Sequence, residues 1–432
     1  MKRIEPTLAG GLRDYLPEDM IPRQKMLDTI REVFERYGFA PLDTPALEKE
    51  EILTGGDKEF KKQIFKIKNS EKLALRFDLT VPLARVFALH SDLGRPFKRY
   101  QIGKVWRGES QQFGRYREFT QCDADVVGSA NMMADSEMVA LIYETLSGLG
   151  LKDFKIKINN RKILADLYKV AQFSKRLNNQ VLRIIDKIDK QGWEGVKREL
   201  AGLKLSEGSL KMIESFIQAK AFDEIEELFI GSKSAVEGIE ELKTIDLNLK
   251  SLGVPGDKYS FDFSVVRGLG YYTGCVFEAV LTEGPVVGTV AAGGRYDSLL
   301  ERFGSVPVQA VGMSIGIDRL FAALEKLGKI EKRKTISEVL VLNFDKACES
   351  EVLKIAADLR RAGIKTDLYL GKEETFKGQF AYGVSHEYPV LVIFGSKEKE
   401  GGLIQVRDMK AGRQAGVNAA GLVDRVKSVL SQ

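Results

Sequence analysis

Arg267 sits among glycines and paired tyrosines, as Arg267-Gly268-Leu269-Gly270-Tyr271-Tyr272, inside the otherwise apolar stretch 261–280. A core strand normally alternates apolar with polar residues and does not interrupt itself in this way. Glycine in a strand lets another backbone or a ligand come close, and a neighbouring guanidinium suits an anion. The stretch therefore reads as one extended strand lining an anion pocket. A hairpin whose glycines only serve a turn accounts for the segment alone equally well. A second group lies at 95–128, where Arg107 closes one strand-like run (100–107), a polar linker follows (108–115), and 116–127 reads as the return strand of a long hairpin. Side chains on a strand repeat with period two, so Gln121, Asp123 and Asp125 face one way. Three polar groups on one face of an apolar strand fit a ligand surface; a solvated sheet face is the alternative. In the third group, AAGGRYDSLL at 291–300 reads as a Gly-Gly turn before a short helix, and 310–315 as a strand entering a helix near Gly316. Arg319 falls in the first turn of that helix, where it opposes the dipole at a cost of roughly a few tenths of a kcal/mol. An anion beside Arg319 would offset that cost.

Three cations and a row of acids so far apart in sequence need a large scaffold to converge. A chain of 432 residues exceeds a single hydrophobic core, and its patterning divides it. Residues 1–327 alternate strands with helices, except that about 161–249 is nearly all amphipathic helix and reads as an insertion. The charged segment 325–334 reads as a linker, placed at 328–337, and 338–432 as a small mixed-sheet α/β domain. Three cysteines give no disulfide framework and suit a reducing, cytoplasmic compartment. No apolar run at the start suggests a signal peptide or a membrane segment. A formal charge of +5 permits nucleic acid without demanding it. With two histidines, His90 and His386, and no CxxC, a protein-held metal site is not expected.

The motifs around these residues resemble those of the histidyl-tRNA synthetase family, class II aminoacyl-tRNA synthetases. WRGESQQFGRYREFTQCDAD is similar to its motif 2, VVRGLGYYTGCVFE to its first histidine-specific motif, and AAGGRYDSLL with VGMSIGIDRL to its second running into motif 3. GLRDYLPEDM with YGFAPLDTPALE resembles motif 1, and LALRFDLTVPLAR its substrate-binding loop. The resemblance covers nearly the whole chain. It implies an α/β and α+β multidomain fold: an antiparallel-sheet catalytic core with a helical insertion, followed by a C-terminal α/β anticodon-binding domain. The implied activity is ATP-dependent activation of L-histidine to histidyl-adenylate, with Mg²⁺, and transfer of histidine to the 3′ end of tRNA(His). The implied assembly is a homodimer through the motif 1 region around residues 13–48.

That reaction joins a carboxylate to the α-phosphate of ATP, so it needs aimed cations and no enzyme nucleophile. By resemblance, Arg107 and Arg267 grip the α-phosphate and histidine carboxylate from opposite sides, and Arg319 meets the γ-phosphate. Glu109 and Phe119 match the adenine contacts, and Gln111 and Gln112 the loop that meets the tRNA acceptor end. Asp78, Thr80 and Gln121 match the positions holding the α-amino group, while Asp125 and Tyr272 match those at the imidazole nitrogens. For Asp78, helix capping ahead of Thr80 is a second reading. Tyr271 belongs to the family's tyrosine pair, although adjacent strand residues point oppositely and only one should face the ligand. Two departures stand out: Asp78 and Asp125 replace the glutamates of many relatives, and Gly270 stands where the family usually has an acid. In the C-terminal domain, Lys372, Lys377 and Arg407 are candidate phosphate contacts or simply solvated charges. An inactive synthetase paralogue acting as a regulatory or nucleic-acid-binding subunit is the alternative function.

Overall fold

The computed structural model describes residues 4–55, 58–68, 71–90, 92–108, 114–266, 272–283, 288–303 and 308–431. They form two compact units, Met1–Arg13 with Met26–Ile330 and Asp14–Lys25 with Glu331–Gln432.

The strands of the larger unit are β1 (Ala40–Pro41), β2 (Leu47–Lys49), β3 (Leu73–Leu75), β4 (Phe97–Trp106), β5 (Glu118–Val127), β6 (Phe154–Asn160), β7 (Tyr259–Phe261), β8 (Cys275–Leu281), β9 (Thr289–Arg295) and β10 (Ala310–Gly316). β2 and β3 pair with each other, and the rest form one sheet ordered β1-β4-β5-β10-β9-β8-β6-β7. Its end pairings, β1 with β4 and β6 with β7, are parallel, and all those between are antiparallel. β4 and β5 are the expected hairpin. Along β5 the period of two separates Cys122, Ala124 and Val126, which join the main apolar core, from Gln121, Asp123 and Asp125 on the other face. The helix Met132–Gly148 contributes Met138, Leu141 and Ile142 to the same core.

Two sequence readings are corrected here. The stretch 261–280 is not one strand: β7 ends at Phe261 and β8 begins at Cys275, and the two lie on opposite sides of β6. A chain that flanks β6 on both edges has to leave the sheet in between, and the described residues 262–266 and 272–274 lie outside both strands. Nor is Gly293-Gly294 a turn. Both lie within β9, where a Cβ on Gly293 would come within 2.2 Å of the Gly312 carbonyl oxygen and 2.4 Å of the Phe277 ring. These glycines serve close approach inside the sheet.

Between β6 and β7 the chain is helical from Arg161–Ala165 through Lys233–Ser251. Phe216, Ile239, Leu242 and Ile245 from this block are fully buried and continuous with the core under the sheet. The helix Ile317–Lys326 takes in Glu325 and Lys326, so the segment read as a linker starts inside a helix.

The smaller unit carries β11 (Val339–Val341), β12 (Thr366–Leu368), β13 (Val390–Ile393), β14 (Ile404–Asp408) and β15 (Arg413–Val417), ordered β12-β11-β13-β14-β15. β11 pairs in parallel with β12 and β13, and its residues are buried on both faces, which explains the unbroken Val-Leu-Val run. The edge strand β15, RQAGV, was not legible because it has little apolar alternation to read. Among the described residues no helix is long and apolar enough to cross a membrane.

Candidate active site

β5, β10 and the turn after β3 meet around an inner cavity of about 190 Å³. Its wall includes Asp78 and Thr80 at the start of the helix Thr80–Leu89, Arg107 beyond the end of β4, and Gln121, Asp123 and Asp125 from β5. Gly312 and Ser314 of β10, with Tyr272 and Tyr296, complete it. Gln121, Asp123 and Asp125 are 8%, 2% and 2% exposed, so this is no solvated sheet face. Asp78 Oδ1 accepts from Val81 N at 3.2 Å, as the capping reading expects, and the residue also lines the cavity.

Asp125 is held from behind. Tyr296 donates its hydroxyl to Asp125 Oδ1 at 2.5 Å, and Asp125 Oδ2 lies 2.8 Å from the guanidinium of the fully buried Arg99. The second contact is an ion pair rather than an aligned hydrogen bond. Arg99 also donates to Leu79 O at 3.1 Å, tying the turn that bears Asp78 to β4. Gly312 leaves the space the carboxylate needs, since a Cβ there would lie 1.9 Å from Asp125 Oδ1. Gln121 donates its amide to Ser314 Oγ at 2.7 Å, which leaves Gln121 Oε1 buried without a partner.

Burial sets the titration of these acids. Loss of solvent pushes Asp123 up to about 7; Arg99 opposes the rise and Asp125 reinforces it. Burial likewise pushes Asp78 up to about 6, against the Val81 N–H and the guanidinium groups of Arg107 and Arg99. Asp125 is also raised by burial, with Arg99 and Tyr296 holding it down.

The inner cavity opens into an outer one of about 720 Å³, and Arg107, Gln121, Tyr272, Ala292 and Ser314 line both. Arg107 donates from Nε to Phe77 O at 2.9 Å and lies over the Phe119 ring, 5.0 Å from its centre. Arg319 borders the outer cavity and donates to Thr289 O at 2.5 Å. Asp318 accepts from Thr120 N at 2.7 Å, fixing the start of the Arg319 helix against β5. The layout is an acid-lined inner end and an outer end flanked by guanidinium groups and an aromatic face. Such a layout suits a small zwitterion inside and a polyphosphate with a planar base outside.

Arg107, Phe119, Gln121, Asp125, Asp78, Thr80, Tyr272 and Arg319 thus converge on one continuous space. Arg267, Tyr271, Glu109, Gln111 and Gln112 lie outside the described residues, as does Gly270. Sequence reasoning missed Arg99 and Tyr296 as supports of Asp125. The hairpin register places Arg99 opposite Asp125, a signal readable only once the pairing is known. Tyr296 stood in the AAGGRYDSLL motif without a role.

A model described as "Histidyl-tRNA synthetase" matches residues 11–320, and one described as "Anticodon binding domain" matches 338–429. The chain belongs to the histidyl-tRNA synthetase family. The histidine--tRNA ligase of Clostridium tetani is 40% identical to it, over 98% of this chain and 99% of that protein. The enzyme of that name from Wolinella succinogenes is 42% identical over 95% of each. The crystal structure of histidyl-tRNA synthetase from Nostoc sp. PCC 7120 superposes with a TM-score of 0.89 at 32% identity, covering 99% of this chain and 100% of that one. A Bacillus halodurans structure described as an ATP phosphoribosyltransferase regulatory subunit/histidyl-tRNA synthetase has a TM-score of 0.77 at 24% identity, over 91% of this chain, a likeness of fold alone. The histidyl-tRNA synthetase family model ends at residue 320, and the anticodon-binding model accounts for nearly all of the smaller unit's β-strands and helices.

Proposed function

We propose that this chain is a histidine–tRNA ligase that activates L-histidine with ATP to histidyl-adenylate and pyrophosphate, then transfers histidine to the 3′ end of tRNA(His). The observation that carries this reading is the joining of the acid-lined cavity to the guanidinium-flanked one at Arg107. Asp78, Thr80 and Gln121 hold the α-ammonium, and Asp125 with Tyr272 receives the imidazole. Asp125, already fixed by Arg99 and Tyr296, accepts one ring N–H and so selects the tautomer. Arg107 orients the histidine carboxylate toward the α-phosphate of ATP, whose adenine stacks on Phe119 beside Glu109. The carboxylate oxygen attacks phosphorus and pyrophosphate leaves. Arg107 and Arg267 stabilise the charge that builds on the phosphoryl oxygens, and Arg319 binds the γ-phosphate. A tRNA hydroxyl then attacks the adenylate carbonyl and AMP departs.

Among the described residues no three His, Cys, Asp or Glu groups cluster to hold a metal ion. Among the described residues, the carboxylates bordering the outer cavity are Asp186 and Asp318. That donor set fits a Mg²⁺ carried mainly by the ATP phosphates, where it would supply further charge neutralisation.

Gln111 and Gln112 read the acceptor end, the smaller unit reads the anticodon, and the active form is a homodimer through the 13–48 region. The domain boundaries consistent with this division are 1–327 and 338–432. The regulatory-subunit alternative is not retained, because the full-length similarity is to ligases and an anticodon-binding model matches 338–429. The test is ATP–pyrophosphate exchange with and without histidine. Histidine-dependent exchange is expected, and exchange that ignores histidine, or none, refutes the reading.

A further inference from the structure

An α-ammonium group brings three N–H donors and one positive charge, and a site that holds it in a buried cavity has to supply matching acceptors and negative charge. In the inner cavity the charge of Asp125 is already offset by Arg99, and its Oδ1 already receives the Tyr296 hydroxyl. Asp78 spends Oδ1 on Val81 N. Asp123 differs from both. It lies between Gln121 and Asp125 on the same face of β5, it is 2% exposed, and its Oδ1 is buried with no hydrogen-bond partner. Two residues away, Gln121 Oε1 is orphaned in the same way, because the Gln121 amide nitrogen is committed to Ser314.

A buried acceptor without a donor is destabilising, more so when it is charged, and two such acceptors in one cavity wall call for a ligand that donates to both. Among the described residues the polar cavity wall offers no lysine, and its guanidinium, Arg107, is turned to Phe77 O and the Phe119 ring. Arg99 and the Ser314 hydroxyl partly offset the charge of Asp123, but its Oδ1 is left without a donor, and a ligand cation supplies one there. Burial also raises the Asp123 carboxyl, as expected of an acid whose partner arrives from solution.

We propose that Asp123 is a specificity residue that accepts directly from the α-ammonium of histidine, joining Gln121 Oε1, Asp78 and Thr80 around it. The proposal rests on the histidine reading of this cavity and adds a residue to it. Its consequence is discrimination: ligands that keep the ammonium depend on Asp123, and ligands that lack it do not.

The test uses the purified full-length chain, Asp123→Asn and Asp123→Ala, with two ligands in titration calorimetry. Histidinol keeps ring and ammonium without the carboxylate, and 3-(imidazol-4-yl)propionate keeps ring and carboxylate without the ammonium. Asp123→Asn preserves size, so its fold is checked by an unchanged circular dichroism spectrum, and Asp123→Ala repeats the test with the acceptor removed. Histidinol binding should fall at least thirtyfold in both variants while propionate binding stays within threefold of the parent. In pyrophosphate exchange, KM for histidine should rise by a similar factor and KM for ATP should not move. Equal loss for both ligands would show that Asp123 only supports the cavity and would overturn the proposal, as would no loss for either. If the parent chain bound neither ligand while still binding ATP, the histidine reading itself would fall.

Discussion

Replacing Gly312 with alanine adds one methyl group, yet the site has no room for it. The new Cβ would sit 1.9 Å from Asp125 Oδ1 and 2.6 Å from its Cγ, against the roughly 3.4 Å of ordinary contact. The carboxylate has to retreat by about 1.5 Å, and a shift of that size takes it out of reach of the Tyr296 hydroxyl, now at 2.5 Å, and Arg99, now at 2.8 Å. Disrupting a buried ion pair costs about 3–5 kcal/mol when one partner is left behind. Both partners remain here, so about 3 kcal/mol is expected. Losing the charge-assisted bond to the substrate ring adds about 1.5–3 kcal/mol to histidine binding, or roughly 10- to 150-fold in KM. Both tryptophans, Trp106 and Trp193, lie in the larger unit, so urea unfolding followed by tryptophan fluorescence reports on it directly. Gly256→Ala is the control, because that glycine is exposed and nothing lies within 4 Å of its added Cβ. If Gly312→Ala unfolds within 1 kcal/mol of the control (~1 kcal/mol being the resolution of such a comparison) and keeps its histidine KM, the account of how Asp125 is positioned is wrong.

Five further outcomes are expected. Asp78 and Asp123 titrate near 6 and 7, and both must be ionised to hold an ammonium, so KM for histidine should rise as pH falls through that range, and less steeply in Asp123→Asn. The same raised values mean that, without ligand, the folded chain binds more protons than the unfolded one between about pH 4 and pH 7. These two groups therefore subtract stability as pH rises through that window, and urea midpoints of the parent should lose ground there relative to Asp123→Asn. Arg267→Ala should slow pyrophosphate exchange by about a hundredfold, the usual effect of one preorganised charge contact, without changing the mass seen by light scattering; near-normal exchange removes Arg267 from the mechanism. Deleting 338–432 should depress aminoacylation far more than pyrophosphate exchange once circular dichroism shows the remainder folded, and equal charging of tRNA by both forms would refute the anticodon role. Light scattering on dilute protein should return twice the chain mass, and a fully active monomer would rule out the homodimer.

Side-chain parity along a strand is a property of the local backbone, and for that reason the shared facing of Gln121, Asp123 and Asp125 could be read directly from their spacing. The position of Arg107 at a strand end and of Arg319 in a first helical turn followed equally locally, from where apolar runs stop and start. Composition and motif order likewise carried the class of fold, since both are written along the chain. What binds Asp125 could not be read so, because Arg99 and Tyr296 reach it through strand pairing and packing across 26 and 171 residues of sequence. The glycines of β9 looked like a turn for the same reason: Gly293 makes room for the Gly312 carbonyl and the Phe277 ring, and Gly294 for the Cys275 carbonyl, none of which is a sequence neighbour. The stretch around Arg267 looked like one strand until the sheet order put β6 between its two ends. Register and strand order are fixed by which apolar faces the whole chain can bury together, so only the tertiary structure decided which acid acquired a buried cation and which was left with an unpartnered oxygen.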